Sequence, residues 1–241
     1  MKVRNLFFTV AALSAICTQA ATFECGGLYY TTTSANSVAV ARVPAEKATN
    51  NPYKGVYIIP EQVYYDGANY QVTAIADSAF FQSKATEVQV PNTVTTIGEC
   101  AFAYATDLAN ITLPLHLKDV SKMLLAGTNV VNVAVPEGVK TIGWGAFQSC
   151  PMLHTMLLPS TTKRIDAYGY NNCHNLFEIY CAAPTAPEAS GWAIFIGLSG
   201  IDVIVPDDDA VAKYAANAVW GDESTFTLYP SEEVSISMTG E

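Results

Sequence analysis

Positive charge is scarce in this chain. Twelve Lys and Arg stand against 22 Asp and Glu, with three His, and the net charge is −10. Nucleic-acid binding runs on cations that neutralise phosphates, so nucleic acid is not expected as a partner. Charge of either sign is sparse, at 14% of residues, while 50% are hydrophobic. Such a chain can bury a large core and does not read as disordered. A membrane-spanning run is missing as well. The apolar stretch Leu6 to Cys17 holds twelve residues, short of the ~20 that cross a bilayer. Lys2 and Arg4 precede it and Thr18-Gln19-Ala20 follow, so residues 1–20 read as a secretory signal peptide cleaved near Ala20. The competing reading is a buried N-terminal strand. Ile16 stands where a lipoprotein signal before Cys17 needs a small residue, which disfavours a lipid anchor. Loss of Lys2 and Arg4 takes the charge from −10 to −12.

Catalytic signatures are lacking too. Neither HExxH nor GxSxG occurs, and no glycine-rich stretch stands in a strand–GxGxxG–helix context. His116, His154 and His174 show no metal-ligand spacing. Cys150 and His154 lie four apart, but across a turn. No catalytic residue, cofactor or metal is expected. Five cysteines would remain after cleavage: Cys25, Cys100, Cys150, Cys173 and Cys181. An exported protein usually carries an even disulfide framework, and five is odd.

What the chain does have is a period. Ile75, Ile97, Val120, Ile142 and Ile165 recur at 22 or 23 residues, and Phe80, Phe102, Leu125, Phe147 and Tyr170 keep the same intervals. Pro91, Pro114, Pro136 and Pro159 follow suit. Before each proline stands an apolar-x-apolar triplet, VQV, ITL, VAV and MLL, and IYC at 179–181 continues the series without its proline. Several columns in one register signal a solenoid of stacked coils. The triplets alternate as short strands do, and the prolines end each ladder for want of an amide donor. One coil cannot bury its Phe-type residue alone, so coils must stack. Gly98 and Gly143, directly after the Ile column, read as a backbone requirement. Ser83, Ala105, Thr128, Cys150 and Cys173 form a small-residue column. There the two cysteines read as stacked core thiols, with a disulfide between neighbouring rungs as the alternative.

The ends read as caps. Residues 56–75 suggest a hairpin about Asp66-Gly67, and residues 23–43 hold two further strands. Tyr57, Tyr64, Tyr65 and Tyr70 crowd this end, as cross-strand packing or as a sugar platform. Residues 203–221 read as a strand followed by a helix, with Val211, Tyr214, Ala215, Ala218 and Val219 on one face. Asp207, Asp208 and Asp209 sit where they would cap that helix. The expected organisation is a signal peptide at 1–20, an N-terminal β cap at 21–58, and repeats of 22–23 residues at 59–202, the last irregular. A strand-helix cap at 203–229 and a tail at 230–241 follow.

The segments IGWGAFQSCPML (142–153) and IGECAFAYATDL (97–108) resemble the BspA-like leucine-rich-repeat family of bacterial cell-surface proteins. The entry sequence at 59–80 and the closing one at 205–220 are similar to that family as well. The resemblance implies a right-handed leucine-rich-repeat solenoid, mainly β with short helical or 3-10 turns. It also implies an exported protein, secreted or at the cell surface, that binds host matrix or neighbouring bacterial surface proteins in adhesion. It brings no catalytic residues and no fixed ligand motif.

Strand parity places Glu87/Gln89, Asn110/Thr112, Asn132/Ala134, Thr155/Leu157, Glu178/Tyr180 and Asp202/Ile204 on the outer face. That stripe becomes apolar toward its C-terminal end, so Leu157, Tyr180 and Ile204, with Thr155, Glu178 and Asp202, are the candidate contact residues for a protein partner. Ordinary cross-strand packing is the plainer alternative. Six strands project on the order of 300 Å² against roughly 800 Å² for a standard partner surface, so tight binding needs flanking loops or many copies. A glycan held by the tyrosine-rich cap and a purely structural envelope role are the other readings.

Overall fold

In the computed structural model of the chain, residues 20–47, 51–190 and 193–231 are described. All but the last residue of the proposed signal peptide and all but the first two residues of the 230–241 tail lie outside them. The chain opens with β1 (Thr22–Cys25), β2 (Leu28–Thr32) and β3 (Ser37–Ala41), an antiparallel meander. That is three strands where the sequence pattern indicated two. Gly26 and Gly27, both at positive φ, make the extra tight turn. Next come β4 (Lys54–Ile58), β5 (Gln62–Tyr65) and β6 (Ala68–Ile75). β5 and β6 form the anticipated hairpin, with Asp66 and Gly67 both at positive φ as a type I′ turn requires. β6 also pairs in parallel with β3, which joins the cap to the coils.

The coils follow as β7 (Lys84–Gln89), β8 (Thr96–Ile97), β9 (Asn110–Thr112), β10 (Asn132–Ala134), β11 (Thr141–Ile142), β12 (Thr155–Leu158), β13 (Arg164–Asp166), β14 (Glu178–Cys181), β15 (Glu188–Ser190) and β16 (Ile201–Val205). After helix α1 (Asp208–Ala215) the described chain closes with β17 (Phe226–Pro230). Two parallel walls result. The triplet strands build one, as the sheets β4-β7-β9 and β10-β12-β14-β16-β17. Pairing of β6 with β8, a Val120–Ile142 bridge, and the sheet β11-β13-β15 build the other. This is a mainly β solenoid with a single helix among the described residues.

Between the walls run the predicted files. Ile75, Ile97, Val120, Ile142 and Ile165 are all buried, and register or bridge contacts link each pair of neighbours except Ile97 and Val120. There the coils are tied by Ser121 Oγ donating to Gly98 O at 2.8 Å. Phe80 and Phe102 stack at 5.1 Å between centroids, and Phe147 and Tyr170 at 5.5 Å and 3°. Leu125 stands in the Phe position of its own coil and is equally buried. Ser83, Ala105, Thr128, Cys150 and Cys173 are fully buried. The five described cysteines are free thiols; Cys150 Sγ donates to Leu125 O at 3.1 Å and Cys173 Sγ to Phe147 O at 2.9 Å.

The turn segments have a regularity that residue types do not announce. Ser78, Cys100, Met123, Gly145, Tyr168 and Ala193 take positive φ, and so do Gln82, Tyr104, Gly127, Ser149, Asn172 and Gly197 four residues further on. Left-handed backbone costs a non-glycine residue roughly 1–2 kcal/mol. The return is backbone pairing between coils. Cys100 N, Phe102 N and Tyr104 N reach Lys122 O, Leu124 O and Ala126 O at 2.7–3.0 Å, and Met123, Leu125 and Gly127 repeat the pattern one period later, Gly145, Phe147 and Ser149 two periods later. Gly98 and Gly143 serve close approach instead. A Cβ on Gly143 would lie 2.7 Å from Val120 O, and one on Gly98 would lie 2.5 Å from Asp77 N.

The described residues of the irregular segment 182–202 extend both walls with longer spacing, β15 pairing in parallel with β13 and β16 with β14. Phe195 stacks on Tyr170 at 5.6 Å and 13° and extends the aromatic file. Beyond it α1 closes the core. Asp207, at φ −161°, accepts from Ala210 N at 2.8 Å, so the aspartates cap the helix as expected. The helix stops at Ala215, and Ala218 and Val219 lie in the following turn, where Asn217 Oδ1 accepts from Val219 N and Trp220 N. Trp220 is fully buried, donates Nε1 to Pro187 O at 2.9 Å, and meets Phe195 edge-on.

Candidate functional site: an outward sheet face

The triplet strands put two rows of side chains outside. Parallel register aligns Asn132, Thr155, Glu178, Asp202 and Thr227 in one row, and Ala134, Leu157, Tyr180, Ile204 and Tyr229 in the next. The six candidate residues are therefore brought together as two adjoining triplets, all half-buried. Tyr229, 45% exposed, is a further member. The sequence pattern missed it because β17 has no place in the 22–23-residue period. A second omission lies at the other end. β4 pairs in parallel with β7, so exposed Val56 and Ile58 align with Glu87 and Gln89. The outer face is apolar at both ends and polar in the middle.

At the C-terminal end the face deepens into a groove of about 290 Å³ lined by Leu157, Tyr180, Ile204, Pro206, Ser231 and Glu137. Burial, then the neighbouring Glu178 carboxylate, pushes the Tyr180 hydroxyl up, so it stays neutral and able to donate. Thr155 Oγ1 donates to Glu178 Oε2 at 3.4 Å. Ser231 anchors the rim through N to Val205 O and Oγ to Pro206 O.

Other candidate chemistry disperses. His154 packs on Phe177, His174 contacts Gly197 O at 3.3 Å, and His116 is exposed on another coil. Among the described residues no three His, Cys, Asp or Glu could hold a metal ion. The tyrosines of the cap split up. Tyr65 lies flat on Phe23 at 3.9 Å, Tyr57 turns toward Phe80, and Tyr64 stands exposed. No helix among the described residues is long and apolar enough to cross a membrane.

Residues 73–186 match the BspA type leucine rich repeat region, in six copies. The repeats of this chain are BspA-type leucine-rich repeats. The array is similar to the leucine rich repeat protein of T. pallidum, with 25% identity and a TM-score of 0.53 over 63% of this chain and 67% of that one. A leucine-rich repeat protein from Bacteroides ovatus shows 18% identity and a TM-score of 0.42 over 76% of this chain and 70% of that one. A leucine rich cell surface protein from Faecalibacterium prausnitzii shows 16% identity and a TM-score of 0.29 over 79% and 86%. No curated protein sequence matches the chain. The matched family is a leucine-rich-repeat scaffold.

Proposed function

We propose that this leucine-rich-repeat protein is exported and acts at or beyond the cell surface as a non-catalytic adhesion module. It contacts a protein partner through the C-terminal half of its outer face. The partner class is a host matrix protein or a neighbouring bacterial surface protein. The observation that supports this reading is the unbroken file Leu157–Tyr180–Ile204–Tyr229 beside a groove. Interior files explain themselves by burial; an apolar file on the outside of a sheet needs another reason. Thr155, Glu178 and Asp202 supply the polar row that orients a partner.

Capture of immobilised matrix and bacterial surface proteins by the secreted chain tests this. Tyr180→Ala together with Leu157→Asp should abolish capture while lowering Tm by only a few degrees, since outward positions carry little of the core. Capture that survives the double substitution removes this face as the site.

A further inference from the structure

The outer face has an unbalanced charge that says what kind of segment it would accept. From β9 to β17 its outward positions include the carboxylates Glu178 and Asp202, and no Lys or Arg; the lysines of this wall, Lys54 and Lys84, stand at its other end on β4 and β7. Glu178 and Asp202 stand side by side on neighbouring strands, and among the described residues neither takes part in an ion pair. Two residues along the same strands, Tyr180 and Ile204 wall the groove, with Glu137 on its rim. The groove, at about 290 Å³, falls just below the roughly 300–1,000 Å³ of small-molecule sites. It suits one or two side chains better than a separate ligand.

We propose that the groove takes an apolar side chain of an extended protein segment that carries Arg or Lys two residues away. The inference rests on the partner-binding reading and specifies its chemistry. An extended segment laid along the strands spaces alternate side chains about 6.6–6.8 Å apart. That is also the step from Tyr180 to Glu178 and from Ile204 to Asp202. With an apolar residue over the groove, a guanidinium two positions on meets the paired carboxylates, whose acceptor geometry suits its fork. The same charge argument disfavours two other occupants. A second copy would bring its own carboxylates to a chain of net charge −10, and residues 232–241, EEVSISMTGE, hold three glutamates and no cation.

The test uses the whole secreted chain and three fluorescent heptapeptides, GSLSRSG, GSLSESG and GSLSSSG, at 0.15 M and 0.5 M NaCl. The arginine peptide should bind about tenfold more tightly than the glutamate peptide at the lower salt. The difference should shrink at the higher salt, where the Debye length is well below 8 Å. Glu178→Gln with Asp202→Asn should erase the preference, so that the arginine and glutamate peptides bind that variant alike. Equal binding of all three, or none at up to about 1 mM, overturns the proposal. So does a face occupied by self-association, seen by sedimentation, or by a synthetic 232–241 peptide. If face-dependent protein capture persists without any charge preference, the adhesion reading stands and this inference alone falls.

Discussion

Tyr170 holds a position where the neighbouring coils carry phenylalanine, and its hydroxyl is fully buried without a hydrogen-bond partner. The ring is well placed, stacked between Phe147 at 5.5 Å and Phe195 at 5.6 Å. Only the oxygen is out of place. Burial pushes its pKa well up, so it remains a neutral donor with nothing to donate to. An unsatisfied buried hydroxyl costs about 1–3 kcal/mol. Tyr170→Phe removes that penalty and leaves a void of roughly 10–15 Å³, which at about 24 cal/mol per Å³ takes back only ~0.3 kcal/mol. The net gain should be about 1–2 kcal/mol, a rise in Tm of roughly 2–8 °C for a chain of this length. Thermal unfolding followed by circular dichroism, confirmed by calorimetry, measures it. The converse change, Phe147→Tyr, should lower Tm. A Tm for Tyr170→Phe at or below that of the parent refutes the reasoning, because the hydroxyl would then be satisfied.

Gly143→Ala drives a Cβ to 2.7 Å from Val120 O and should cost about 1–3 kcal/mol in urea titrations. Gly138→Ala, strained by its φ of +97° but in open space, serves as the contrast and should cost less. Under native conditions maleimide should label Cys25 and Cys100 and spare the buried Cys150, Cys173 and Cys181. Labelling of Cys100 should be slow at neutral pH and quicken as pH rises, since burial raises its thiol pKa. In denaturant without reductant five thiols should be titratable in the cleaved chain; fewer would reveal a disulfide. Asp207→Ala should destabilise by about 1 kcal/mol through loss of the helix cap, with partner capture unaltered; lost capture would tie the cap to the binding face.

Much of this protein could be read in advance, because a solenoid repeats its physics. The demand for a β-branched or aromatic side chain at one depth returns every 22 or 23 residues, as at Ile97 and Ile142, and short-range periodicity exposes it. The same logic found Leu157, Tyr180 and Ile204, since strand alternation alone assigns them outward. It stopped where the period stopped. Phe195 follows Tyr170 by 25 residues, and β17 follows a helix. Both depend on contacts between segments whose separation obeys no rule. Tyr229 and the exposed pair Val56 and Ile58 were missed for that reason.

The sequence by itself determined the coil period, the buried files, the proline stops, the hairpin at Asp66-Gly67 and the aspartate helix cap. Each is written in residue chemistry within a few positions. Tertiary structure alone decided the two left-handed positions in every turn. Residues as unlike as Met123, Tyr168 and Ala193 occupy them, because backbone pairing with the next coil, not side-chain preference, holds them there. It likewise decided that Gly98 and Gly143 answer to the closeness of a neighbouring coil, and that the outer file runs on to Tyr229. Distances between coils exist only once the coils are stacked.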